Sequence, residues 1–228
     1  MEKGKKRVMV VSAHPDDMEF GCAGTVRKLI EEGYDAVLVV ATNGESGWKK
    51  DFAPKEERVK TREIEQRESA KILGIKDVIF LHNIDGQLEN SLAFRTELVK
   101  AIKEYKPEII FTFDPASLLS FENLNLSHRD HRAVSQAVFD SVFAAKNKFL
   151  FPGEPHKVDK IFFFGSKNPN HEEDITKFID IKIEALRQHR SQFPDFEKVA
   201  GFVKKFMSNE SKDGYAEKFR VVEVVQLT

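Results

Sequence analysis

His14-Pro15-Asp16-Asp17 puts an imidazole and two carboxylates within four consecutive residues. Ser127-His128-Arg129-Asp130-His131 gathers two more imidazoles and an acid over a hundred residues later. A hydrolytic zinc site is built from such side chains: three ligands from His and Asp or Glu, with a fourth position left for water. His128 and His131 stand three apart at an expected helix start, so both project from one face. Asp16 and Asp17 are adjacent and point in different directions, so only one readily shares a metal with His14. The chemistry then divides the roles. One aspartate ligates while the other stays beside the water as a general base. One histidine of the later pair ligates while the other faces the substrate. Zinc lowers the pKa of a water it holds to about 7, within reach of a carboxylate base. A histidinium would stabilise a developing oxyanion. The two clusters are therefore expected to meet around one Zn2+.

The elements that must position them come next. Val8-Met9-Val10-Val11 reads as a buried strand. Pro15 forbids a helix through that point, because it lacks an N–H and clashes one turn back. The chain therefore leaves the strand and turns sharply. Further strands are expected at about 36–41, 78–81, 109–113, 158–164 and 219–225, and helices at about 21–32, 55–73, 92–105, 128–145 and 181–189. Near-continuous apolar strands alternating with helices predict an α/β fold: a single Rossmann-like domain with a mostly parallel sheet and helices on both faces. Right-handed crossovers would put the strand-to-helix loops on one edge. That edge collects His14, Asp16, Asp17, Glu45, Asp85, Asp114, His128 and His131. Residues 1–150 read as the core, and 151–228 as a less regular extension of the same domain.

Bulk composition bounds the function. The 228 residues suffice for one large domain, and 41% apolar with 32% charged content fits an ordinary globular chain. A formal net charge of −1 gives no electrostatic case for nucleic acid or an anionic membrane. The single cysteine, Cys22, excludes an intrachain disulfide and a Cys-rich metal site. The apolar run after the basic N-terminus is too short for a signal peptide, and no stretch approaches the roughly 18 apolar residues of a membrane span. A cytoplasmic protein is the expectation.

At these residues a family resemblance enters. Ala13-His14-Pro15-Asp16-Asp17-x-Glu19 followed by His128-x-Asp130-His131 resembles the signature of the PIG-L/LmbE-like family, zinc-dependent de-N-acetylases of N-acetylglucosamine conjugates. Supporting matches are Thr42-Asn43-Gly44-Glu45, Arg67-Glu68 with Leu73-Gly74, Asp85-Gly86, and Lys182 with His189-x-Ser191-Gln192. The paired motif in this order is specific, whereas either half alone is not. The resemblance implies that His14, Asp17 and His131 bind zinc and that Asp16 is the general base. It implies that His128 stabilises the oxyanion and protonates the leaving amine, that Asp130 orients His128, and that Arg67 and Glu45 contact substrate. It implies a small N-acetylglucosamine-type substrate and a homo-oligomer. Arg129 departs from the commoner proline at its position.

Plainer readings stand beside these. Asp16 suits a helix N-cap, Asp130 a first-turn acid, Arg67 an ion-paired helix face, and Glu45 and Asp85 simple turns. Cys22 reads as a small buried residue, Trp48-Lys49-Lys50 as a lip over the site or a loop tip, and Ile161-Phe162-Phe163-Phe164 as core. Two rival functions remain. A metal-dependent phosphoesterase would usually need two metals and more ligands than one three-ligand set. A nucleotide-binding Rossmann-like module would need G-x-G-x-x-G after strand one, where the chain has only Gly21-x-x-Gly24.

Overall fold

The computed structural model describes residues 4–47, 53–116, 128–209 and 213–225. The expected lip at 48–50 and Ser127 lie outside them. The apolar runs become strands: β1 (Arg7–Ser12), β2 (Asp35–Thr42), β3 (Asp77–Asn83), β4 (Ile109–Phe113) and β5 (Lys160–Phe164). Three more follow: β6 (His171–Asp174), β7 (Ser208–Asn209) and β8 (Gly214–Glu223). The helices are α1 (Asp17–Gly21), α2 (Ala23–Glu31), α3 (Lys55–Leu73), α4 (Leu92–Tyr105), α5 (Arg129–Ala145), α6 (Ile179–Leu186) and α7 (Phe196–Met207).

The strand order is β3-β2-β1-β4-β5-β8-β6, with β7 attached to β8. Strands β1 to β5 pair in parallel, and β8 runs antiparallel to both β5 and β6. The expected mostly parallel sheet covered on both faces is thus what the chain forms, and β5 and β8 carry it into the residues beyond 150. One helical layer is α4 packed on α5. The other is α2, α3 and α6 packed on one another. Val8 to Val11 and Leu38 to Ala41 are sealed from solvent between the layers, which is why those strands carry no polar alternation.

The topology decides where chemistry can occur. From β1 the chain steps outward to β2 and β3, then returns to place β4 on the other side of β1. The crevice beyond the carboxyl ends of β1 and β4 is therefore the switch point at which ligands bind in such sheets. His14 follows β1, and α5 is the next described element after β4.

Three local differences have physical causes. The first expected helix starts earlier, at Asp17, and breaks at Cys22 into α1 and α2. The break leaves the first N–H groups of α2 without a cap from their own segment. The carboxylate of Glu217, on β8, supplies it by accepting from Gly24 and Thr25 at 3.0 and 2.8 Å. Glu217 is in turn paired with Lys182 of α6 at 2.6 Å, both side chains fully buried, and Lys182 also donates to the Phe20 carbonyl at 2.9 Å. Secondly, β6 reads His-Glu-Glu-Asp, a polar sheet edge with no apolar alternation to announce it. Thirdly, α7 was not expected, and its Phe202 and Phe206 stack on the exposed side. Among the described residues no helix is long and apolar enough to cross a membrane.

Candidate metal centre

The sharp turn after β1 is as Pro15 requires, and it is sharper than a proline alone would make it. Asp16 has φ 98°, a left-handed conformation that residues with a Cβ seldom adopt. This turn lets Asp17 begin α1 with its carboxylate folded back. Oδ2 of Asp17 accepts from the backbone N–H groups of Ala13 and His14 at 3.1 and 2.7 Å. Oδ1 is directed elsewhere, to Nε2 of His131 at 3.2 Å.

The two sequence clusters meet. His131 Nε2 lies 3.3 Å from His14 Nδ1, and His14 Nδ1 lies 3.5 Å from the Asp17 carboxylate. Zinc bonds of about 2.0–2.2 Å in a tetrahedron separate their donor atoms by about 3.3–3.6 Å. The separation of the two imidazole nitrogens matches that spacing, and the Asp17 carboxylate reaches both rings, His131 through Oδ1 at 3.2 Å and His14 through Oδ2 at 3.5 Å, so the residues present fit a tetrahedral cation. The donors also have the right chemistry, two imidazoles and one carboxylate. His131 is braced by Phe113, at the end of β4, whose ring stacks on it at 4.0 Å and 16°. Burial alone would raise the Asp17 pKa, but the His131 and His14 imidazoles hold it well below the usual carboxylate range.

The other nitrogen of His14 shows where the expectation about Asp130 needs correcting. Its Nε2 lies 3.1 Å from Asp130 Oδ2 and 3.1 Å from Asp85 Oδ1. The Asp130 carboxylate therefore orients His14, not His128. It is itself fixed, accepting from Gly86 N–H at 2.7 Å and Leu88 N–H at 3.2 Å. A carboxylate on the far nitrogen of a ligating histidine sets its tautomer and raises its basicity. Burial would lower the His14 pKa, but Asp130, Asp17 and Asp85 together push it well above the usual value. Asp130→Asn should accordingly weaken affinity for a divalent metal by about 10–100-fold, measured by competition with a chromogenic chelator; unaltered affinity would remove Asp130 from the centre. Asp85, with a plain turn role as its alternative reading, belongs to the same shell, and its Oδ2 accepts from Ser46 N–H at 2.9 Å.

His128 is the N-cap of α5, and its Nδ1 accepts from the Asp130 N–H at 3.2 Å. An accepting Nδ1 means that a neutral ring carries its proton on Nε2. Burial, reinforced by His14 and His131, lowers the His128 pKa, so the neutral ring is favoured over the expected histidinium. Its ring stands edge-on to His14 with centroids 4.7 Å apart.

Asp16 is separate from the three donors. Its Oδ2 accepts from Arg62 Nη2 at 3.0 Å, and burial raises its pKa more strongly than Arg62 lowers it. Arg62 is the α3 arginine that reaches the site, and Arg67 is not. Five residues apart on a helix, the two face about 140° away from each other. Arg67 is exposed, lying over the Phe80 ring at 4.9 Å, with Nη1 at 3.4 Å from the Val78 carbonyl near the start of β3. Arg62 is buried and also donates to the carbonyls of Gly44, at 2.9 Å, and Pro15. Two glycines make room for it: a Cβ on Gly44 or Gly47 would sit 2.8 or 2.6 Å from its Nη1. Glu45 stays at the rim, tied to Lys55 at 2.8 Å and Asn43 at 3.0 Å. Asp114 reaches the same edge but is occupied by Arg220 and Ser166.

Comparison with known proteins agrees with this arrangement. Residues 9–142 match the family model described as PIG-L: GlcNAc-PI de-N-acetylase. Diacetylchitobiose deacetylase of Thermococcus kodakarensis is 33% identical over 196 residues, 83% of this chain and 71% of that protein. Probable N-acetyl-alpha-D-glucosaminyl L-malate deacetylase 2 of Bacillus anthracis is 27% identical over 205 residues, 84% and 83% of the two chains. Among solved structures, N,N'-diacetylchitobiose deacetylase of Pyrococcus horikoshii superposes with a TM-score of 0.87 at 29% identity, covering 96% of this chain and 85% of that one. The paired motif, the sheet that brings its halves together and these matches lead to one assignment: the chain belongs to the PIG-L family and is a hydrolase of the N-deacetylase kind.

Proposed function

We propose that this chain removes the N-acetyl group from a small N-acetylglucosamine conjugate or short chitin oligosaccharide, releasing acetate, with Zn2+ held by His14, Asp17 and His131. The observation that carries this reading is the meeting of His14 and His131, nitrogens 3.3 Å apart, with the Asp17 carboxylate at 3.5 and 3.2 Å from them, beside a second carboxylate, Asp16, that is not one of this set. The relatives named above as deacetylases of diacetylchitobiose and of a glucosaminyl malate support the substrate class.

Bound zinc would supply Lewis acidity to a water and to the acetamide carbonyl. The chain's own residues do the rest. Asp16 takes the water's proton, and the rise in its pKa through burial brings it nearer to neutral pH, where a proton carrier works best. His128 presents Nε2–H as a hydrogen-bond donor to the developing oxyanion. A neutral imidazole is a poor acid, so in this scheme Asp16, and not His128, passes its proton to the departing amine. Arg62 holds Asp16 in place. Asp130 and Asp85 hold His14.

An acetate-release assay over diacetylchitobiose, N-acetylglucosaminyl-malate and N-acetylglucosaminyl-inositol tests the reading, alongside metal analysis. One zinc per chain with acetate release supports it. Two metals and phosphate-ester hydrolysis would replace it with the phosphoesterase.

We also propose that the chain self-associates. A groove of about 570 Å3 lies between α5 and the β5–β8 surface, lined by Phe139, Phe143, Leu150, Ile161, Val222 and Val224. Phe139 and Phe143 are more than half exposed. Arg95 and Lys146 face Asp140 and Glu223 around the same groove, a balanced rim that suits a second copy related by a two-fold axis. Light scattering should find an oligomer at micromolar concentration that Phe143→Glu reduces to a smaller species. A monomeric parent protein would refute the proposal.

A further inference from the structure

Behind Asp16 lies a buried polar network that the metal set does not use. Gln66, on α3 and fully buried, accepts the backbone N–H of Asp16 through Oε1 at 3.0 Å. Its Nε2 donates to Glu19 Oε1 at 2.7 Å. Glu19 is also fully buried, and the same oxygen accepts from the Ser69 hydroxyl. His189 faces its other oxygen at 3.5 Å.

The direction of these bonds is informative. A side-chain amide accepts at one end and donates at the other. Were Gln66 reversed, its NH2 would confront the Asp16 N–H, and its oxygen would confront the Glu19 carboxylate. Glu19, an acceptor only, therefore fixes which way Gln66 faces. Gln66 in turn supplies the acceptor for a backbone N–H in a left-handed conformation, φ 98°. Such conformations persist where their surroundings over-determine them. Asp16 is held at two points, its carboxylate by Arg62 and its amide by Gln66.

We propose that Gln66, oriented by Glu19, is a positioning residue that sets the place of the Asp16 carboxylate relative to the substrate. This rests on Asp16 being the general base. It extends that reading to two residues that touch neither metal donors nor substrate.

The experiment uses the full-length zinc-loaded protein and three variants: Gln66→Leu, Gln66→Glu, and Gln66→Glu combined with Glu19→Gln. The double variant keeps the net charge and reverses the donor–acceptor direction of the pair. It restores an acceptor for the Asp16 N–H. Gln66→Leu should keep one zinc per chain and KM within about twofold while kcat falls by about 10–100-fold, since misplacement by an ångström can cost that much. Its Asp16 amide should exchange with solvent deuterium far faster than in the parent. Gln66→Glu alone sets two carboxylates against each other and should be slow, and the double variant should recover most of kcat. A Gln66→Leu enzyme with unchanged kcat overturns the proposal. So does a double variant with a protected Asp16 amide that stays as slow as Gln66→Glu, a comparison that stands even where Gln66→Leu fails to fold. Amide exchange reads the clamp without any substrate. A parent protein that releases no acetate therefore defeats the deacetylase reading alone, and an unprotected Asp16 amide in the parent defeats the clamp alone.

Discussion

Asp16→Asn should leave one zinc per chain and lower kcat by about 10²–10⁴-fold, the range that general acid–base catalysis contributes. The metal should stay because none of the proposed donor atoms belongs to Asp16: His14 Nδ1 and His131 Nε2 lie 3.3 Å apart, and the Asp17 carboxylate reaches one ring with each oxygen, at 3.5 and 3.2 Å, without it. The fold should stay because asparagine tolerates left-handed backbone better than most residues, and its amide oxygen still accepts from Arg62. What disappears is the proton acceptor. The measurements are zinc content, a thermal melt and acetate release, made on one preparation. Full turnover in that variant would remove Asp16 from the reaction. Lost zinc would instead make Asp16 a ligand.

The second large effect is on stability. Lys182→Met should destabilise the protein by about 3–5 kcal/mol, the usual cost of removing one partner of a buried ion pair. Lys182 and Glu217 are both inaccessible to solvent and lie 2.6 Å apart. Methionine fills similar space but leaves Glu217 charged with only the N–H groups of Gly24 and Thr25 for company. Adding Glu217→Gln should recover a good part of the loss, because the amide oxygen can still serve those two donors. Urea midpoints of the parent, single and double variants measure this. Equal midpoints for parent and Lys182→Met would mean that water reaches the pair.

The parts of the molecule that were legible in the sequence share a property: their evidence is local. Strand β1 contains the expected run Val8–Val11 and helix α4 has its expected bounds, because an unbroken apolar run and a proline just past the helix, Pro107, both act within a few residues. The meeting of His14, Asp17 and His131 was legible because two short motifs carry them and parallel topology alone brings strand ends together, while the choice of these three as ligands came from the family resemblance. Evidence that is not local left no trace. Helix α3 carries charge on most of its surface, so nothing in its pattern says that Arg62 faces Asp16 while Arg67 lies over Phe80. Asp130 stands two residues from His128 in the chain, yet its carboxylate is turned to a histidine 116 positions away. Glu19, Gln66 and Ser69 are ordinary helical polar residues until α1 and α3 are set side by side.

The cap that β8 lends to α2 has a consequence for how the protein comes into being. The carboxylate that Gly24 and Thr25 bind comes 193 and 192 residues after them in the chain. Until β8 is made, the start of α2 lacks that partner and β5 lacks its antiparallel neighbour. Contacts of such long range form slowly, so the final locking of this end of the sheet must await the emergence of β8. Shortened products that stop before residue 214 should accumulate as species dependent on chaperones.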